Sequence, residues 1–217
     1  MSTPATMVIP RWEWRTFAAS LPELRRAVEG IRLETPRESR ETCVLCLRSS
    51  HNAKIRDGLM DLKWRKQVDP DGLELWDPVL KSAFPFGASF MPRLFEAWGL
   101  PAPALARGAY SLSQFLEEVV APSPDLRSVE ITKHRQGFTL DGTTCEFARI
   151  EAESFRLESF CVEHEDPALV LQVLRSLGLD SHRNINYPMA LKRALAPQGS
   201  DGPGDTRWEK RSNASSS

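Results

Sequence analysis

Residues 160–179 read FCVEHEDPALVLQVLRSLGL, and two periods meet inside them. In an extended strand, residues i and i+2 share a face. Glu163 and Glu165 therefore project together, while Phe160 and Val162 point to the opposite side. At Asp166-Pro167 the period changes. A capping side chain followed by proline in the first turn opens a helix. Leu169, Val170, Val173, Leu174 and Leu177 then recur at helical spacing, and Gly178 ends the run. The segment is an acidic-faced strand whose apolar back has an amphipathic helix to pack against.

The same alternation recurs in both directions from this segment. Strands are expected over Trp12–Phe17, Thr42–Arg48, Ala53–Arg56, Met60–Lys66, Val129–Arg135, Gly137–Leu140, Cys145–Glu151 and Glu158–Glu165. Turn signals at Arg56-Asp57-Gly58, Asp69-Pro70-Asp71-Gly72 and Asp141-Gly142 separate several of them. Ser20-Leu-Pro-Glu23 and Ser111-Leu-Ser-Gln114 read as capping boxes, opening helices that run to about Glu29 and to Pro122. Further helices are expected over Met91–Trp98 and Pro188–Leu195. The fold class is α+β with a mostly antiparallel sheet. One domain is expected over residues 10–196, with a helical insertion over 82–124 between two blocks of strands. Residues 1–9 and the Gly-, Ser- and Asp-rich 197–217 bury too little apolar area to order themselves, and are expected to be a flexible N-terminus and a disordered tail.

The strand faces carry an unusual amount of charge. Lys54 projects with Arg56, Asp61 with Lys63 and Arg65, Lys133 with Arg135, and Glu13 with Arg15. Trp12, Trp14 and Trp64 face the other way. One such strand is simply the solvated side of a sheet. Five strands with charge pairs of both signs suggest a sheet whose charged faces turn inward around a polar lumen, with helices covering the apolar faces. Charges are not buried in that way without a ligand. Basic groups facing a few carboxylates suit a polyanion together with a divalent cation, since cations bind phosphoryl oxygens and carboxylates hold a hard metal.

These residues resemble the CYTH domains, or triphosphate tunnel metalloenzymes, over about Arg11 to Leu195. The segment 160–179 resembles that family's Glu-x-Glu strand and the helix ending in Leu-Gly-Leu. NINYPMALKRAL (184–195) resembles the closing segment, NAKIRDGLMDLKWR (52–65) the basic strand and the lysine strand after it, and VEITKHRQGF (129–138) the basic strand of the second half. The resemblance implies an eight-stranded antiparallel tunnel, a closed barrel with a charged lumen, that binds triphosphates with a divalent metal. It makes Glu13, Glu163 and Glu165 candidate metal ligands, with Glu146 as a fourth. It makes Arg15, Lys54, Arg56, Lys63, Arg65, Lys133, Arg135 and Arg183 candidate phosphate ligands. The chain departs from the family's Glu-x-Glu-x-Lys signature: Arg11 stands at its first Glu and Arg15 at its Lys, while Arg183-Asn184 lies near another family lysine. One carboxylate is therefore missing from the implied metal shell.

Composition narrows the rest. The 217 residues include 28 Lys and Arg against 29 Asp and Glu, a formal charge of −1, so bulk charge does not hold this chain to nucleic acid. No apolar run is long enough to span a bilayer, and residues 1–10 lack the apolar core of a signal peptide. A cytoplasmic location is expected, with no membrane partner. The four cysteines do not form a disulfide framework at this length. Cys43 and Cys46 match Cys-x-x-Cys, but in a strand that spacing places them on opposite faces, so they and Cys145 and Cys161 read as packing residues. His51, His134, His164 and His182 are scattered, and neither a Ser-His-Asp order nor a phosphate-binding glycine loop is present.

The function implied is a metal-dependent phosphohydrolase, a triphosphatase acting on an inorganic or organic triphosphate with Mg²⁺ or Mn²⁺. An attacking water needs no side-chain nucleophile, and no catalytic side chain is assigned. Two alternatives stay open: a non-catalytic module binding polyphosphate or nucleotides, and an adenylate-cyclase-like activity on ATP. RNA 5′-triphosphate processing would need a basic surface path that the net charge does not advertise.

Overall fold

Two-residue turns set the register of the sheet. At Asp57-Gly58 (φ 53° and 68°) and Asp141-Gly142 (φ 47° and 82°), both residues adopt the left-handed conformation that matches the twist of a tight hairpin. Aspartate tolerates this conformation and glycine adopts it freely. Each turn joins strands that continue the alternation read from the sequence. The computed structural model describes residues 9–179 and 182–196. The expectations for 197–217, and for the N-terminus before Ile9, lie outside the described residues.

In chain order the elements are β1 (Arg11–Ala18), α1 (Pro22–Ala27), β2 (Arg37–Cys46), β3 (Asn52–Arg56), β4 (Leu59–Val68) and β5 (Glu74–Ala83). Next come β6 (Phe86–Gly87), α2 (Met91–Trp98), β7 (Ala109–Tyr110) and α3 (Leu112–Gln114), which continues through wider turns over Phe115–Val120. The chain ends with β8 (Leu126–Leu140), β9 (Thr143–Glu151), β10 (Arg156–His164), α4 (Pro167–Ser176) and α5 (Tyr187–Leu195). Eight strands close into an antiparallel barrel in the order β1-β10-β9-β8-β2-β3-β4-β5. This is the α+β architecture that the resemblance to the tunnel family implied.

Alternation divides the side chains between three cores. Outward residues of β2, β3, β4 and β5, such as Val44, Ile55, Met60, Leu62 and Leu80, pack under α2 and the turns carrying Phe115 and Val119. Trp14, Phe147, Phe160 and Val162 pack on the other side, under α1 and α4. The third core lies inside the barrel. Phe17, Cys43, Leu45, Ile131, Ala148 and Ile150 meet Tyr187, Ala190 and Leu191 of α5. These inward positions continue the faces of Arg15, Lys133 and Glu146 at steps of two. One half of the interior is therefore apolar and plugged by α5, and the other half is charged.

The barrel is least continuous at its β1–β5 seam, where only Arg11–Glu13 pairs with Glu74–Trp76. Past Glu13 the free edge of β1 is taken up by the segment before α5. The Arg15 N–H donates to Asn184 Oδ1 (2.8 Å), and the Ile185 N–H donates to the Arg15 carbonyl (2.8 Å). Asn184 Nδ2 also donates to the carbonyls of Glu13 and Gly72.

Several boundaries differ from the sequence reading. Strand β8 is continuous where two strands were expected, because Gln136 and Gly137 keep their pairing with Phe147 and Glu146. Strand β2 starts at Arg37 instead of Thr42, because its polar first half pairs with Ile131–Arg135. Strand β5 was not expected. Its Pro78 sits beside a register shift at Leu62/Lys63, the irregular position where a strand tolerates a residue without an N–H. The Ser20 capping box does not form: the Leu21 N–H donates to the Glu158 carboxylate (2.8 Å), and α1 ends at Ala27. The Ser111 box does form, with reciprocal bonds to Gln114 of 3.2 and 2.9 Å.

Candidate functional site

The charged half of the lumen is a cavity of about 260 Å³. Into it project Arg15, Lys54, Arg56, Lys63, Lys133 and Arg135, against Glu13, Glu41, Asp61, Glu146 and Glu163, with Asn52, Cys43, Trp76 and Tyr187 completing the wall. That size is just below the range of typical ligand pockets, which run from ~300 Å³ upward. It suits a short anion better than a nucleic-acid chain. A larger depression of about 850 Å³ lies over β2, β8 and the β9–β10 turn, but its Arg40, Arg127, Glu130 and Glu153 are exposed.

Arg15 is the organising side chain. It is buried, and its guanidinium donates to Glu13 (2.9 Å), Ser159 (3.2 Å) and Glu146 (3.4 Å). Lys133, also buried, donates to Glu146 at 2.8 Å. The ring of Tyr187 lies 5.5 Å from the Arg15 guanidinium carbon and 5.4 Å from Lys133 Nζ, within cation–π range. The plug helix thus contributes the floor of the charged compartment.

The carboxylates respond to this field. Burial alone would raise the Glu146 carboxyl, but Lys133 and Arg15 override it and bring its pKa to about 2. Burial also works against ionisation of Glu13, and Arg15 and Lys63 outweigh it, so Glu13 titrates below its ordinary range. Glu41 is likewise lowered, with burial overcome by Lys54, Lys133, a hydrogen bond from Ser39 and Arg56. The exception is Glu74. Burial raises it despite contacts to Arg65 (2.8 Å) and Asn186 Nδ2 (2.9 Å), helped by its neighbour Glu13. Among the cations, Lys54 is lowered because burial outweighs the pull of Glu41.

Two cations remain uncommitted. Among the described residues neither Lys63 nor Arg135 makes an ion pair or side-chain hydrogen bond. They still act at a distance, Lys63 on Glu13 and Arg135 on Glu146. These are the positions where an incoming anion displaces no internal partner.

Not every residue singled out in the sequence reaches the lumen. Glu165 lies past the end of β10, exposed, and does not line the cavity. Arg183 is exposed in the segment before Asn184 and faces the charge of Arg193. Arg65 shares the inward face, opposite Trp76, but pairs with Glu74 at the seam and is not part of the cavity wall, next to a register shift at Arg65/Gln67. Conversely, Glu41, Glu74, Trp76 and Tyr187 were not singled out. Glu41 shares the inward face of Cys43, a relation visible once β2 is extended to Arg37. The four cysteines are free and buried, and burial pushes the Cys43 thiol up to about 12 and the Cys145 thiol up to about 11, so neither is a nucleophile at neutral pH.

No protein-family model and no curated protein matches the sequence significantly. Among solved structures, the chain is similar to HpAC1 from Hippeastrum, a proposed adenylyl cyclase described as having a dominant triphosphatase activity. They share 12% identity over 86% of this chain and 98% of that one, with a TM-score of 0.47. It is also similar to the PH1012 protein of Pyrococcus horikoshii OT3, at 18% identity over 78% of this chain and 90% of that one, with a TM-score of 0.43. At this level of similarity the site has to be read from its own residues.

Proposed function

We propose that the charged half of the barrel binds the terminal phosphates of a small triphosphate-containing molecule, entering from the end opposite the plug. The observation that carries this reading is Lys63 and Arg135, two unengaged cations on the wall of a cavity that holds six basic side chains against five carboxylates. Lysine supplies a point charge and arginine a planar fork of donors, both suited to phosphoryl oxygens. Lys54, Arg56 and Lys133 stand beside them and can exchange a carboxylate contact for a phosphate contact. Among the described residues no helix is long and apolar enough to cross a membrane, and the ligand is read as a small molecule.

A bound Mg²⁺ or Mn²⁺ would polarise a phosphoryl oxygen and activate water for hydrolysis. The donor set does not fit one. Glu13, Glu146 and Glu163 each contact an internal arginine or lysine, and among the described residues no group of three ligand-type side chains is arranged to hold a metal ion. The chain's own residues support binding and charge neutralisation. They favour the non-catalytic reading over the metal-dependent phosphohydrolase.

Isothermal titration with sodium tripolyphosphate tests the proposal. Wild-type protein is expected to bind one equivalent, and Lys63→Ala/Arg135→Ala to bind at least 30-fold more weakly with an unchanged melting temperature. Equal affinity in the two proteins would refute the assignment of the lumen.

A further inference from the structure

The lumen contains a row of like charges with an unusual solution. Glu13 lies at the same level as Glu163 on β10 and Glu74 on β5, as direct register partners on one inward face. Side chains directly opposite one another in an antiparallel pair stand about 5 Å apart, and like charges there repel. Three adjacent inward carboxylates demand a cation. A divalent ion is one answer, and the chain carries another.

Each carboxylate has its own arginine. Arg11 Nη1 donates to Glu163 (3.1 Å), Arg15 Nε to Glu13 (2.9 Å) and Arg65 Nη1 to Glu74 (2.8 Å). Arg11 and Arg15 flank Glu13 at two residues on either side of the same strand, so the backbone itself delivers them to this row. Arginine stays protonated at any pH a folded protein meets, so these cations cannot be titrated away. A divalent ion entering the row would have to break these contacts and approach three fixed positive charges.

We propose that Arg11, Arg15 and Arg65 stand in for a divalent metal, so that the lumen binds phosphate chains without one. The inference rests on the lumen being the phosphate site, and its consequences are separable from that reading. The arginine row neutralises the carboxylates permanently, leaving Lys63, Arg135 and their neighbours to the anion. It also makes Arg11, the most exposed of the three, the charge whose removal reopens the row to a cation.

Two measurements on the full chain decide it. The first is Mn²⁺ binding to the protein alone, followed by the loss of the free-ion electron paramagnetic resonance signal. Wild type is expected to bind no stoichiometric Mn²⁺ at 100 µM, a concentration set at roughly the weak end of protein divalent-ion sites. Arg11→Glu is expected to bind it at least tenfold tighter. Arg11→Gln, which removes the charge and the guanidinium without adding a carboxylate, is expected to fall between, and serves where Arg11→Glu does not fold. Stoichiometric Mn²⁺ on wild type, or no gain in either variant, overturns the inference. The second is tripolyphosphate titration in EDTA. Saturable binding in EDTA supports the inference, and binding that appears only when Mn²⁺ is added overturns it. Absence of tripolyphosphate binding in both conditions sinks the proposed function instead, and the Mn²⁺ result on the protein alone then decides whether the arginines exclude a metal.

Discussion

Arg15 and Lys63 share a cavity but differ in what their removal does. Arg15 is buried among two carboxylates and a serine hydroxyl, so its loss strands buried charge. Breaking a buried pair by deleting one partner costs about 3–5 kcal/mol. Arg15→Met is accordingly expected to lower the unfolding free energy by about that amount in urea titration. Lys63→Ala is expected to leave it within about 0.5 kcal/mol, because no pair is broken. Equal destabilisation by the two would contradict the assignment of their roles. Glu146 adds a pH dependence. Its carboxyl sits at about 2 when folded against an ordinary value of 4.5. A depressed carboxylate stabilises the fold above its unfolded value, and that contribution fades as pH falls from about 4.5 towards 2. At about 1.4 kcal/mol per unit, the contribution at neutral pH is about 3 kcal/mol. The stability gap between wild type and Glu146→Gln is therefore expected to be largest near neutrality and to close below pH 3. A gap that stays constant from pH 7 to 3 would show that Glu146 is not held ionised by Lys133 and Arg15.

The seam between β1 and β5 is the weak element, and Asn184 mends it. Its side chain accepts from the Arg15 N–H and donates to the carbonyls of Glu13 and Gly72. Replacing it by alanine leaves three backbone groups short of a partner, and a loss of about 3 kcal/mol in unfolding free energy is expected. Hydrogen exchange at Arg15 and Ile185 reports this opening locally, and unchanged protection in Asn184→Ala would remove Asn184 from that role. The sequence made much of this architecture legible and hid this part for a reason. Alternating charge in Lys54–Arg56, Asp61–Lys63 and Lys133–Arg135 announced the inward faces, and Asp-Gly turns announced two hairpins. Strand β5 carries a proline and register shifts, which erase the period of two over Leu75–Leu80. With it went Glu74 and Trp76 of the lumen. Glu165 misled because alternation was carried one step beyond the end of β10, where the chain bends toward α4. Asn184, Asn186 and Tyr187 left no periodic signal, since they act from a non-strand segment, a helix cap and the first turn of α5.

Over the described residues the chain is a barrel whose interior is divided in two. Helix α5 packs Tyr187, Ala190 and Leu191, none more than 9% exposed, against the apolar half of its interior, and the charges crowd into the other half. The plug therefore supports the site, and Leu191→Ala, which opens a cavity beneath it, is expected to cost about 2–5 kcal/mol. An unchanged melting temperature in that variant would mean that α5 does not pack the lumen. The same geometry ranks ligands. A pocket with a surplus of cations grips a longer phosphate chain through more contacts until the cavity is full, so affinity should climb with each phosphate and weaken with salt. The most direct measurement is a calorimetric series of orthophosphate, pyrophosphate and tripolyphosphate at constant ionic strength, with sulfate as the reference anion. One site per chain is expected, with at least tenfold tighter binding of tripolyphosphate than of pyrophosphate and little or no binding of sulfate. Equal affinities across the series, or no binding of tripolyphosphate at all, would contradict it.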